Sequence, residues 1–118
     1  MKLFVLILNK TEKLDELMTE FAHKKICGAT ILDSTGMARE LYGSAHDEEE
    51  ISFLGSIRGF LSGGGRSGSK TILTVLKDGQ EQTILDIVEE VVGDLMQPDT
   101  GIMFILPIEY AKGKGIDN

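Results

Sequence analysis

The chain has 118 residues, a length typical of one domain, and 42% of them are hydrophobic, which is enough to bury a core. A formal net charge of −7 argues against a nucleic-acid groove or an anionic membrane surface as partner. Because Cys27 is the single cysteine, an internal disulfide is excluded, and this fits a reducing compartment such as the cytoplasm. We therefore treat residues 1–118 as one domain.

The first element that the sequence predicts is a strand. Leu3–Leu8 is a continuous apolar run, too short for a signal peptide or for a membrane helix. A helix follows, which Asn9 or Thr11 can cap and which Gly28 is expected to end, because apolar residues recur between them at helical spacing. Gly28–Asp33 predicts a second, weaker strand.

The second half of the chain repeats this order. Thr71–Leu76 predicts a third strand, and Asp78 with Glu81 forms a capping-box pattern at the start of a second helix. Ile102–Leu106 predicts the last strand, which stops at Pro107 because proline has no N–H for the ladder. The second helix carries one apolar stripe: Ile84, Ile87, Val88, Val91, Val92 and Leu95.

This order of elements predicts an α+β fold of the ferredoxin-like βαββαβ type. Such a fold has a four-stranded antiparallel sheet with two helices on one face, and here a long insertion between strands two and three. The first and last strands do not alternate apolar with polar residues, so both faces of the sheet should be buried. Because the helices cover one face only, we expect a second copy of the chain to cover the other.

The insertion, from about Thr35 to Ser69, differs in composition from the rest. It holds an acidic run at His46–Glu50, a predicted short amphipathic helix at Ile51–Leu61, and a glycine-rich stretch at Gly63–Ser69 that predicts a flexible tether. A connection of this length inside a compact domain is usually functional.

Three segments resemble the PII signal-transduction family. One is the N-terminal strand Met1–Ile7. The second is 28–40, which resembles Gly-x-Thr-Val-x-Glu-Val-x-Gly-Phe-Gly-Arg-Gln, the segment that leads into that family's long exposed loop. The third is 99–109, which resembles Gly-Asp-Gly-Lys-Ile-Phe-Val-Leu-Pro-Val-Glu. Together with the order of elements, the resemblance covers most of the chain outside the insertion.

The resemblance implies a cytoplasmic homotrimer that regulates rather than catalyses, for example in nitrogen regulation. It implies a small anionic effector, typically an adenine nucleotide, bound between subunits, and a target transporter or enzyme engaged through the long loop. The effector site that it implies comprises two turns, one strand residue and the C-terminal lysines: Thr30, Gly36, Met37, Ala38, Arg39, Glu40, Thr100, Gly101, Ile102, Lys112 and Lys114.

Three of these positions depart from the family pattern. Ile102 stands where the family has a phosphate-contacting lysine, and Ala38 stands where it has a glycine. Glu40 replaces a glutamine that helps to hold a metal–oxoacid complex. We therefore expect a ligand with less phosphate than ATP, and we do not expect a 2-oxoglutarate complex.

Other interpretations of the sequence remain open. A trimer without effector binding would serve only as a protein-interaction module. A metal-binding trimer of the related CutA type would use His46–Glu50, or the helical pair His23 and Cys27. Gly64–Thr71 nearly matches a phosphate-binding loop, but it precedes a predicted strand, whereas that mechanism needs a helix after the loop.

Overall fold

The computed structural model describes residues 1–37 and 68–116. One 3₁₀ turn, Thr11–Lys13, precedes the first helix. In these two ranges no helix is long and apolar enough to cross a membrane. The strands and helices of the described residues are β1 (Lys2–Leu8), α1 (Leu14–His23), β2 (Thr30–Ser34), β3 (Ser69–Leu76), α2 (Glu81–Val91) and β4 (Gly101–Pro107).

The four strands form one antiparallel sheet in the order β2-β3-β1-β4. In its centre, Val5 of β1 lies opposite Leu73 of β3 on one side and opposite Phe104 of β4 on the other. Both helices contribute to a single core with one face of this sheet. The predicted α+β, ferredoxin-like arrangement is therefore confirmed, with the insertion between β2 and β3.

The core forms because side chains alternate across a strand. Phe4, Leu6 and Leu8 of β1 are fully buried, and the Phe4 ring meets the ring of Phe21 in α1 edge to face, with centroids 6.3 Å apart. The predicted stripe of α2 is confirmed from Ile84 to Val91, whereas Val92 and Leu95 also pack on this cluster but lie beyond the end of the helix. The other buried members are Leu17, Ile26, Ile72, Leu76, Ile84, Ile87, Val88, Val91 and Val92.

One polar side chain lies in this core. Thr74 of β3 is opposite Phe4 of β1 and is 1% exposed. Its Oγ1 has no hydrogen-bond partner among the described residues. A buried hydroxyl without a partner costs about 1–3 kcal/mol, so Thr74 weakens the core in which it lies.

The second face of the sheet is apolar, and we call it the open face. Three of its side chains on β4 are strongly exposed: Ile102 by 56%, Phe104 by 42% and Leu106 by 44%. Within residues 1–37 and 68–116 nothing covers the β4 side of this face, because both described helices pack on the opposite face. By the strand register, the apolar residues of the open face are Leu3, Val5, Ile7, Leu32, Leu73, Val75, Ile102, Phe104 and Leu106.

The first helix ends earlier than the sequence predicts. The N–H of Lys25 donates to the carbonyl of Ala22 (3.0 Å), and the N–H of Ile26 donates to the carbonyl of Phe21 (2.8 Å). These paired bonds form a Schellman motif, with Lys25 in the left-handed region at φ 63°. The prediction that Gly28 ends α1 is wrong, because the burial of Ile26 turns the chain inward first.

The predicted helix caps are also wrong. Neither Asn9 nor Thr11 makes a side-chain cap, because a 3₁₀ turn that begins at Thr11 precedes α1 and leaves Lys13 at the N-cap position. Asp78 does not cap α2 either, and its Oδ1 lies 3.5 Å from the N-terminal amino group. Instead, the N–H of Lys77 donates to Oε1 of Gln80 (2.9 Å), and this turn leads directly into α2.

Several predictions for the insertion fall outside the described residues. These are the acidic run His46–Glu50, the helix Ile51–Leu61 and most of the tether Gly63–Ser69. The strands on either side are displaced from their predicted bounds. β2 runs later than the predicted 28–33, and β3 begins at Ser69 rather than at Thr71, because these residues pair with each other across the two strands.

Candidate functional site

The two turns of the predicted effector site lie at the same end of the sheet but at opposite edges. β2 ends at Ser34, which is opposite Ser69, and β4 begins at Gly101, which is opposite Leu8. Leu8 is in turn opposite Lys70, so these pairs lie at one end of the sheet. Because β2 and β4 are the two outer strands, about three strand spacings, or roughly 14 Å, separate the turns within one chain.

The turn after β2 is open to solvent. Gly36 is exposed, and a Cβ placed on it would meet nothing within 4 Å. Met37 is 71% exposed. Ala38, Arg39 and Glu40, which also belong to the predicted site, lie outside the described residues. The described part of this turn therefore has room for a ligand or a neighbouring chain.

The turn before β4 is tightly held by the end of β1. The carbonyl of Thr100 accepts hydrogen bonds from the N–H groups of Asn9 (3.0 Å) and Lys10 (3.3 Å). A Cβ on Gly101 would lie 2.7 Å from the carbonyl oxygen of Ile7, so a larger residue would push these strands apart. The contacts with β1 therefore hold the backbone of this turn in place without a ligand.

The side chain of Thr100 supports this turn instead of facing a ligand. It is 1% exposed, and its Oγ1 donates to the carbonyl of Pro98 at 3.2 Å. Asp99 beside it adopts the left-handed region at φ 56°, a conformation that Asp tolerates better than most residues. Because the Thr100 side chain is buried, the predicted residues of this turn offer a ligand only their backbone and the side chain of Ile102. That side chain is apolar and lies on the open face.

The remaining predicted residues lie elsewhere in the chain. Thr30 begins β2, and the length of that strand, about 13 Å, separates it from the turn at Gly36. Lys112 and Lys114 are exposed and follow β4, at the far end of the sheet from Gly101. The bond from Ile108 N–H to the carbonyl of Met1 (3.2 Å) fixes the chain at that end. The eight predicted residues that the structure describes therefore do not lie in one cleft of one chain.

A hydroxyl cluster at the base of the insertion was not predicted. Oγ of Ser34 lies 2.8 Å from Oγ of Ser69 and 2.8 Å from Oγ1 of Thr71. On the neighbouring pair of residues, Lys70 forms an ion pair with Asp33. The sequence shows a serine at each end of the insertion, Ser34 and Ser69, which could have pointed to this cluster. That the two serines are paired follows only from the strand register. These contacts join β2 to β3 where the insertion leaves the sheet.

The metal-binding interpretation gains no support from the part of the chain that the structure describes. Nδ1 of His23 lies 3.5 Å from a carboxylate oxygen of Glu20, and Cys27 is exposed. Among residues 1–37 and 68–116, no group of three or more potential ligands is close enough to hold a metal ion. The acidic run His46–Glu50 lies outside these ranges.

The phosphate-loop interpretation does not fit the described residues either. Lys70 and Thr71, the last residues of that pattern, lie inside β3. A phosphate loop needs these residues at the N-terminus of a helix, where free amides and the helix dipole face the anion. Because Lys70 and Thr71 lie in a strand, they have no helix N-terminus at which to bind a phosphate.

Comparisons with known proteins identify a fold but no function. No family model matches the chain, and no curated protein matches it. The chain is similar to the crystal structure of a functionally unknown protein from Pediococcus pentosaceus ATCC 25745, with a TM-score of 0.59 and 17% sequence identity. The match covers 96% of this chain and 96% of that one, so the two share a fold over nearly their whole length.

Proposed function

We propose that this chain is a PII-like regulatory protein. In this proposal it forms a homotrimer in the cytoplasm, binds a small anionic effector between subunits, and passes the signal to a target transporter or enzyme through its long insertion. It acts by binding and not by catalysis. Nitrogen regulation is the setting that the resemblance suggests, and an adenine nucleotide is the effector class that it suggests.

The observation that carries the proposal is the open face. Soluble monomers seldom expose a contiguous apolar patch of more than a few hundred Å². Here nine apolar side chains from all four strands share one face. The strongly exposed ones lie on the two outer strands, namely Leu32, Ile102, Phe104 and Leu106, whereas Val5 in the centre is buried. At about 25 cal/mol per Å², covering such a face with other copies of the chain strongly favours association. The threefold symmetry comes from the family resemblance.

The position of the two turns supports an effector site between copies. Gly36 and Gly101 lie at one end of the sheet, yet on the two outer strands. Among the described residues of one chain, the two turns therefore do not face each other across a shared cleft. In an assembly through the open face, the β2 turn of one copy would meet the β4 turn of its neighbour.

The chemistry of these turns favours an anion. Glycine lets backbone N–H groups approach a ligand closely, and an arc of such groups attracts negative charge. Arg39 adds a planar, permanently charged guanidinium suited to phosphate or carboxylate. Ile102 gives no such contact, and the loss of a charged hydrogen bond costs about 1.5–3 kcal/mol. A nucleoside monophosphate, or another small anion, bound at micromolar affinity or weaker is the ligand that fits best.

Isothermal titration calorimetry with AMP, ADP and ATP tests the effector site. The wild type should release heat with at least one nucleotide, and Arg39→Ala should weaken that binding by about tenfold or more. Arg58→Ala is the matched control, since it removes the same charge from the insertion outside the matched segment. Ile102→Lys should selectively strengthen the binding of ATP because it restores a phosphate contact. Because Ile102 also lies on the open face, the comparison is made on samples whose mass by light scattering equals that of the wild type.

Two results would contradict the effector site. One is the absence of heat with every nucleotide for the wild type and for Ile102→Lys. The other is binding that Arg39→Ala leaves unchanged. Light scattering on the same samples reports the mass of the assembly independently, so the loss of effector binding is distinguished from the loss of the trimer.

A second candidate function is a trimeric interaction module that no longer senses an effector. The observation in its favour is Ile102, an exposed apolar side chain where the family has a charged one. Thermal-shift measurements against nucleotides and divalent metals separate the candidates. A shift with nucleotides favours sensing, a shift with metals favours the CutA-like alternative, and no shift favours the interaction module.

A further inference from the structure

The helix layer carries a groove that the proposed effector site does not use. It lies between the outer flank of α2, the residues that follow α2, and the edge strand β4. Its volume is about 330 Å³, near the lower end of the range for binding pockets, about 300–1,000 Å³. The residues on which the argument rests are Leu85, Asp86, Glu89, Asp94, Met96 and Met103.

The local backbone fixes one wall of this groove. Gly93 adopts a φ of 97°, and its N–H donates to the carbonyl of Glu89 at 3.1 Å, which ends α2. The N–H of Met96 then donates to Oδ1 of Asp94 at 2.9 Å. Met96 is 88% exposed, although this turn holds its backbone in place. A large apolar side chain is thus presented to solvent by an ordered turn.

The floor of the groove is apolar and adaptable. Leu85 and Met103 are half-buried, and Val88 beneath them is fully buried. Methionine is unbranched and polarisable, so Met96 and Met103 can adjust to aliphatic side chains of different shapes. An apolar side chain of a partner would be shielded from water in this groove and would contact both methionines.

The rim of the groove is negatively charged. Asp86 and Glu89 are exposed and project from the same flank of α2, and Asp94 lies in the turn beyond it. No lysine or arginine is among the described residues that line the groove. None of the three carboxylates forms an ion pair within residues 1–37 and 68–116. The complement to this rim is a segment that carries lysine or arginine.

We infer that this groove docks a basic, amphipathic segment of a partner protein. Its apolar side chains enter between Leu85, Met96 and Met103, and its cations face Asp86 and Glu89. None of the described residues that line the groove belongs to the open face or to the two turns of the proposed effector site.

Fluorescence anisotropy with a labelled synthetic peptide tests this inference. The probe has about 18 residues, with leucine on one helical face and lysine on the other. We expect the wild type to bind it. The double variant Asp86→Asn with Glu89→Gln should weaken binding by about fivefold or more, as two lost charge pairs predict. Met96→Ser should cause a similar loss, since exposed apolar anchors dominate such contacts.

The matched control is the double variant Glu12→Gln with Glu90→Gln, which removes the same total charge from exposed positions outside the groove. It should change the affinity by less than about twofold. Equal losses in the control and groove variants would overturn the inference, because the peptide would then respond to overall charge. Equal binding of a peptide of the same composition with its leucines scattered around the helix, or displacement of the probe by spermidine at comparable concentration, would also overturn it.

Discussion

Replacing Thr74 by valine should stabilise the protein. The side chain lies in the core between the sheet and the helices, opposite Phe4, and is 1% exposed. Its Oγ1 has no hydrogen-bond partner among the described residues. Valine keeps the branched shape of threonine and replaces the hydroxyl with a methyl group, so the packing is kept while the desolvated polar atom is removed.

The magnitude follows from the cost of an unpaired buried hydroxyl, which is about 1–3 kcal/mol. Part of this gain is offset because the methyl group is slightly larger than the hydroxyl, so we expect the free energy of unfolding to rise by about 1–2 kcal/mol. For a domain of this size, each kcal/mol corresponds to roughly 3–6 °C in Tm. The shift should therefore be visible in a simple thermal melt.

The control is Thr71→Val, which makes the same change on the same strand. The hydroxyl of Thr71 lies on the other face of the sheet, 2.8 Å from Oγ of Ser34, so its removal should lower stability by about 0.5–1.5 kcal/mol. Urea unfolding of both variants and the wild type should be followed at one protein concentration, because association would couple to unfolding.

The reasoning fails if Thr74→Val lowers the free energy of unfolding. It also fails if Thr74→Val and Thr71→Val shift stability in the same direction by similar amounts. Either outcome would mean that the hydroxyl of Thr74 gains a partner in solution, so that it supports the core.

Two further predictions concern the sheet. If the proposed association runs through the open face, Phe104→Asp should give a lower mass by light scattering than the wild type, because it places a charge on this face. Tyr110→Asp, which puts the same charge at another exposed aromatic position, should leave the mass unchanged. An unchanged mass for Phe104→Asp would contradict association through this face. Gly101→Ala should lower the urea midpoint by an amount equivalent to about 1–3 kcal/mol, since its Cβ would lie 2.7 Å from the carbonyl oxygen of Ile7. Gly36→Ala, where a Cβ meets nothing within 4 Å, should change stability by no more than about 0.5 kcal/mol, and equal effects of the two glycine substitutions would refute the close approach.

The order of elements could be predicted because its signals are local. The continuous apolar run Leu3–Leu8 and the helical period of α2 are each visible within a short stretch, and the strand and the helix that they predict are both present. The helix ends could not be predicted in the same way. The end of α1 depends on the burial of Ile26 under the rest of the core, which is a tertiary effect and outweighs the local preference of Gly28.

The candidate site could be predicted only in part, for a related reason. The matched segments identified the turns at Gly36 and Gly101, and both lie at the same end of the sheet. The distance between them depends on β2 and β4 being the outer strands, which is set by pairing between distant parts of the chain. The contacts of Ser34 with Ser69 and Thr71 likewise depend on strand register, and a shift of one residue would turn these hydroxyls to opposite faces.

The antiparallel pairing of Ser34 with Ser69 has a consequence for the modularity of the chain. Two antiparallel strands can be joined by a turn of two residues, so the sheet itself does not require the residues from Thr35 to Gly68. For a flexible connection, replacing a short turn by a loop of this length adds only about 2.5 kcal/mol of closure entropy. Ser34, Ser69, Thr71, Asp33 and Lys70 supply paired contacts at the junction that offset such a cost. We therefore expect the sheet to stay folded when the segment between these two strands is shortened or replaced.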